Sequence, residues 1–119
     1  MTPAVDLTNV HEITGGDITV ERELFDAFLQ SSDECIAALK SSLDAPKHEE
    51  WRKQAHAFKG TSANLGAFEL GRLCKEAQDN SQASSERKHT ILAAIETEYG
   101  RVKDFLADAG ARRDGNNIS

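Results

Sequence analysis

No stretch of the 119 residues approaches the run of about 18 apolar residues that crosses a bilayer. The first ten, MTPAVDLTNV, have neither the basic n-region nor the apolar h-region of an export signal. A cytoplasmic protein without membrane association is therefore expected. Proline is scarce, with two residues near segment starts, and no run alternates Val, Ile, Thr or Tyr with polar residues, which leaves little room for strands. Cysteine occurs twice, as Cys35 and Cys74, each inside an apolar helical pattern, so both are expected as reduced core residues and not as a disulfide. Uncompensated positive charge is missing too. The 14 Lys and Arg are interspersed among 20 Asp and Glu for a net charge of −6, a balance that excludes a nucleic-acid surface.

What is present is helical periodicity. Apolar residues make up 39% of the chain and recur at three- and four-residue steps, enough for one domain with one core. A short helix is predicted over about Asp6 to Ile13, stopped by Gly15-Gly16. Asp17 reads as the N-cap of a helix over about 18–43, either continuous or broken near Ser31-Ser32. Its apolar set is Ile18, Val20, Leu24, Phe25, Phe28, Leu29, Ile36, Leu39 and Leu43. Ser42 to Pro46 makes a turn, with Pro46 suited to a helix's first position. A further helix is expected over about Lys47 to Asn64, with a seam of Trp51, Ala55, Phe58, Ser62 and Leu65 and Gly66 as its C-cap. The next begins near Ala67, buries Leu70, Leu73, Cys74 and Ala77, and ends in the polar NSQASS. The last, about Glu86 to Ala109, aligns Ile91, Ile95, Tyr99, Val102, Phe105 and Leu106. Four long amphipathic helices on short loops predict an all-α, up-down-up-down four-helix bundle with a short additional N-terminal helix. Residues 1–110 would form it, and 111–119, which lack periodicity, would be a flexible tail. No apolar stripe is left over, so a monomer is expected.

The segment HAFKGTSANLG, His56 to Gly66, sets a glycine inside a helix four residues after a histidine. With the seam at 0° and a turn of about 100° per residue, His56 points to about 140°, Lys59 to about 80°, Gly60 to about 180°, Ala63 to about 120° and Arg52 to about 100°. His56 thus faces solvent beside the two smallest side chains available, flanked by two cations. A mid-helix glycine costs about 0.8–1.0 kcal/mol relative to alanine, so its presence suggests that a side chain there would obstruct an approaching partner. A bare surface, an imidazole and a lysine suit a bulky anionic group carried by another macromolecule, phosphate above all.

The run from His56 to Ala67, followed by Leu70, Leu73 and Cys74, resembles the signature of histidine-containing phosphotransfer domains, H-x-x-K-G-[ST]-[SA]-x-x-L-G, with Thr61 where serine or threonine is usual. The resemblance extends from Gly15-Gly16-Asp17 to the final helix. It implies a helical relay of two-component signalling in which His56 is the phospho-acceptor, attacking a receiver-domain aspartyl phosphate through Nε2. It further implies that Lys59 helps hold the phosphoryl oxygens, that Gly60 leaves room for the receiver, and that Gln78 bonds the other ring nitrogen. Implied partners are response-regulator receiver domains and a hybrid sensor histidine kinase. Arg52, Lys59 and Ala63 would lie on the docking face, together with exposed residues of the second helix. No nucleotide-binding loop or catalytic-base constellation is present, so no autokinase activity is expected. No acidic triplet is present either, so the chain is expected to hold no cofactor, and the Mg²⁺ of the transfer would sit on the receiver.

A different class of reading keeps the same fold: a helical interaction module that binds receivers or other partners without passing phosphate. The two separate on whether His56 carries an acid-labile, alkali-stable phosphate. His11, His48 and His89 lack neighbours like those of His56 and are expected as solvent-facing surface residues. Glu86 and His89 give a single E-x-x-H, and a di-iron bundle site needs a second with two more inward glutamates. Met1 and the aperiodic tail favour a separate protein over the terminal piece of a hybrid kinase.

Overall fold

The computed structural model describes residues 3–43 and 47–118, with side chains described as far as residue 110. Five helices and no strand occur among the described residues: α1 (Thr8–Thr14), α2 (Ile18–Ser41), α3 (His48–Leu65), α4 (Phe68–Asp79) and α5 (Ser85–Ile118). Several boundaries have a local cause. Asp6 Oδ1 accepts the backbone N–H of Thr8 at 3.0 Å, so α1 starts two residues later than its pattern suggests. Gly15 turns left-handed at φ 63° and ends it. Asp17 accepts the N–H groups of Thr19 and Val20 at 2.9 and 3.2 Å, taking two of the orphan donors that open every helix. α2 then runs unbroken through Ser31-Ser32. Gly66 adopts φ 97° after α3, its N–H bonding the Ser62 and Ala63 carbonyls.

The centre of the turn predicted over Ser42–Pro46 lies outside the described residues, and Pro46 with it. The tail predicted over 111–119 likewise lies outside them for its side chains and for Ser119. The backbone of α5 nevertheless continues past Ala109 to Ile118, while the last core side chain on it is Leu106.

The four long helices pack in a ring, α2 on α3, α3 on α4, α4 on α5 and α5 back on α2, and α1 lies across α2 and α3. Trp51, Ala55, Phe58, Leu70, Ile95 and Val102 are fully buried at its centre. Burying one such large apolar side chain contributes about 1.5–3 kcal/mol. Tyr99 ties the far side: its hydroxyl donates to Asp33 Oδ1 at 2.8 Å while its ring meets Phe28 and Phe58 edge-on. α4 packs on α3 at Gly71, where a Cβ would lie 3.8 Å from the Lys59 carbonyl oxygen. Cys35 and Cys74 are buried free thiols, and desolvation pushes the Cys74 thiol up to about 12, far from the thiolate state.

Two features depart from the sequence expectation. Val20 and Leu24, assigned to the apolar set of α2, are 39% and 37% exposed, and Ile18 is only half-buried. On the side of Val20 and Leu24 the first turns of α2 face the short α1, whereas Phe25 faces α5, so the stripe is only partly roofed. Conversely, the N-terminal segment is built in: Ala4 and Val5 are buried and the Asp6 N–H donates to the Gly66 carbonyl at 2.9 Å. That strap passes so close to Gly66 that a Cβ there would overlap the Asp6 carbonyl oxygen.

Candidate functional site

His56 stands near the middle of α3, exposed, on the side away from the seam. Its Nδ1 lies 3.4 Å from Oε1 of Gln78, which α4 brings alongside in its last turn. This is the one contact between expected site residues that motif spacing could not supply, since it joins positions 22 apart through the α3–α4 packing. With Nδ1–H donating to that amide oxygen, Nε2 is the lone-pair nitrogen of an exposed ring.

Gly60, one turn on, is exposed, and a Cβ built there would meet nothing within 4 Å. Tight helix packing therefore does not account for it. Lys59 is half-buried and Ala63 exposed, as the helical wheel predicts. Arg52 is half-buried and engaged on its own helix: its Nε donates to Glu49 Oε2 at 3.1 Å, and the guanidinium holds the Glu49 carboxyl below the usual carboxylate range. Arg52 thus contributes a compensated charge pair at the rim, not a bare cation.

On the other flank of Gly60, α1, α2 and α3 enclose an open groove of about 590 Å³ lined by Val10, Ile13, Leu24, Phe28, Thr61 and Leu65, among others. Ile13, 66% exposed, and Leu24 both line this groove, and Val20 is a further exposed apolar residue on α2. The sequence expects exposed residues of the second helix on the docking face but places Val20 and Leu24 in the core; the signal that could have reassigned them is the shortness of α1 against the length of α2. Helical arithmetic puts Gly60 at about 180° on α3, between His56 at about 140° and groove residue Thr61 at about 280°.

Of the other histidines, His48 is half-buried against expectation, whereas His11 is exposed as expected but contacts a buried group. His48 Nδ1 meets the Nζ of Lys88 at 2.8 Å, and Lys88 lies buried with its ammonium 5.3 Å from the Trp51 ring centroid. His11 Nε2 lies 3.6 Å from the buried carboxylate of Glu21. Both depend on contacts between helices that no local pattern reveals. His89 is exposed, as expected. Among the described residues no three His, Cys, Asp or Glu side chains are placed to share a metal ion. No helix among them is long and apolar enough to cross a membrane.

An exposed histidine with one ring nitrogen engaged by a neighbouring helix and a bare glycine one turn along accords with the family to which the chain belongs, the histidine-containing phosphotransfer proteins: the family model for the Hpt domain matches residues 23–109. Among solved structures it is similar to histidine-containing phosphotransfer protein B (HptB) from Pseudomonas aeruginosa PAO1. That likeness has 26% identity and a TM-score of 0.82, covering 94% of this chain and 98% of the other. None of the curated proteins compared matches.

Proposed function

We propose that the chain is a phosphorelay intermediate in which His56 Nε2 reversibly takes a phosphoryl group from the aspartate of one receiver domain and passes it to another. The observation that carries this reading is the pairing at His56: Nδ1 of an exposed ring engaged by Gln78 at 3.4 Å, and open space around Gly60 one turn along the same helix. Neutral imidazole is a competent nucleophile, and an acceptor on Nδ1–H selects the tautomer with its lone pair on Nε2. As the Nε2–P bond forms, the P–O bond to aspartate breaks, the carboxylate leaves with its electron pair, and the Nδ1 proton stays on the ring, shared with Gln78. Phosphoryl transfer draws mainly on in-line placement and charge neutralisation. Lys59 supplies part of the charge. Mg²⁺, held by the receiver's own acidic residues, supplies the rest.

Docking would use Ile13, Val20, Leu24 and the adjoining groove as the apolar contact, with Lys59 and the Arg52–Glu49 pair as a polar rim and Ala63 as a flat edge. Such a surface suits a small, fast-exchanging complex, because a relay must release its partner. On the same reading α2 to α5 form an up-down-up-down bundle with α1 as an additional helix, the protein is a monomer, and a hybrid sensor histidine kinase stands upstream.

Transfer from a phosphorylated receiver to the intact chain and to His56→Gln tests the proposal. The intact chain should gain an acid-labile, alkali-stable label, and His56→Gln should gain none. Equal labelling of the two would remove His56 from the reaction.

A further inference from the structure

The Gln78 amide can orient His56 only if the last turn of α4 stays in place. Helix ends fray, because their final carbonyls lack intrahelical partners. Here Asn80 closes the helix, its backbone N–H donating to the Glu76 and Ala77 carbonyls at 3.1 and 3.2 Å, and one tie comes from another helix: the Trp51 indole Nε1–H donates to the Ala77 carbonyl at 2.8 Å, and Ala77 immediately precedes Gln78. The donor sits on α3, five residues before His56. The tie and the histidine therefore ride on one helix, about 7.5 Å apart along its axis. The indole is itself fixed, fully buried with Lys88 across its face. At the other end of the pair, α4 rests on α3 where Gly71 meets the Lys59 carbonyl and Ser62.

We infer that Trp51 is a positioning residue for the phospho-acceptor: its N–H clamps the C-terminal turn of α4 to α3, and thereby holds the Gln78 amide against His56 Nδ1. The inference rests on the phosphotransfer reading for its purpose, but its geometry is tested without any phosphate.

The experiment is ¹⁵N NMR of the His56 imidazole, reading the fraction of the Nδ1–H tautomer in the wild type, Trp51→Phe, Gln78→Ala and the double variant. Trp51→Phe should lower that fraction towards the Gln78→Ala value, and the double variant should fall no further than Gln78→Ala. Replacing Trp51 with 3-benzothienylalanine, which keeps the ring's shape and removes only the N–H, should reproduce the phenylalanine result and covers the case in which that variant does not fold. Receiver-to-His56 transfer should slow by about two- to tenfold in the single variants, the span of one neutral hydrogen bond. An unchanged tautomer fraction in the benzothienyl chain overturns the inference, as does fully additive behaviour in the double variant. Loss of all labelling in the wild type would instead overturn the relay reading, while the tautomer data would still decide the role of Trp51.

Discussion

A methyl group added at Gly60 would touch nothing within 4 Å, so the cost of a mid-helix glycine to α3, about 0.8–1.0 kcal/mol relative to alanine, is not offset by any contact inside the chain. Folding alone would favour almost any other residue there. Gly60→Leu is accordingly expected to raise the melting temperature by about 3–5 °C. The same substitution should slow phosphate transfer from a receiver by about tenfold or more, because the leucine would stand between His56 and the groove. Calorimetry and rapid-quench transfer assays read the two effects separately. Higher stability with undiminished transfer would show that the bare surface is not there for a partner.

At the scale of helices and their junctions, Gly66 carries a different constraint from Gly15, although both are left-handed helix ends. Gly15 has nothing within 4 Å of its would-be Cβ, whereas at Gly66 that atom would overlap the backbone of the N-terminal strap. Gly66→Ala should therefore cost about 2–3 kcal/mol in urea unfolding, against about 1 kcal/mol for Gly15→Ala. The Asp6 amide should also lose its hydrogen-exchange protection in the first variant, since its acceptor is the Gly66 carbonyl. The strap itself could not be read from the sequence, because a backbone hydrogen bond from Asp6 to Gly66 leaves no periodic trace. The seams of α3, α4 and α5 could, since a stripe from Trp51 to Leu65 repeats at the helical period over the whole element. Asp17 and Gly66 were legible for a related reason: cap chemistry is local. His56, Lys59, Gly60 and Ala63 lie within one short segment, and their directions follow from one rotation per residue. Gln78 needed the resemblance to suggest it, and the Trp51–Ala77 and His48–Lys88 contacts needed the packed helices. Val20 and Leu24 were misplaced because periodicity shows which side of a helix is apolar, not whether another helix covers it.

For the molecule as a whole, Lys88 makes stability depend on pH in the alkaline range. Its ammonium is buried beside Trp51, and desolvation lowers its pKa below the ordinary lysine value of 10.5. Between the lowered folded value and 10.5 the unfolded chain binds more protons than the folded one, so this group adds stability as pH rises through that window. Below the window its desolvation penalty is present in full. The stability of the wild type minus that of Lys88→Met should therefore grow between pH 7 and about pH 10, as read from urea unfolding at each pH. Taking the difference cancels contributions from Cys74 and Tyr99, whose raised values act in the opposite direction. A difference that stays constant with pH would show that Lys88 titrates alike in the folded and unfolded chains.

Trp51 is the chain's one tryptophan, and it is fully buried where α3 meets α4 and α5. Excited beyond the tyrosine band, intrinsic fluorescence from this protein comes from that single position, five residues along the helix from His56. Its colour and yield respond to the carbonyl at its N–H and the ammonium over its ring. The emission of the unlabelled protein is thus a built-in optical gauge of the α3–α4 contact, readable while a partner arrives and leaves.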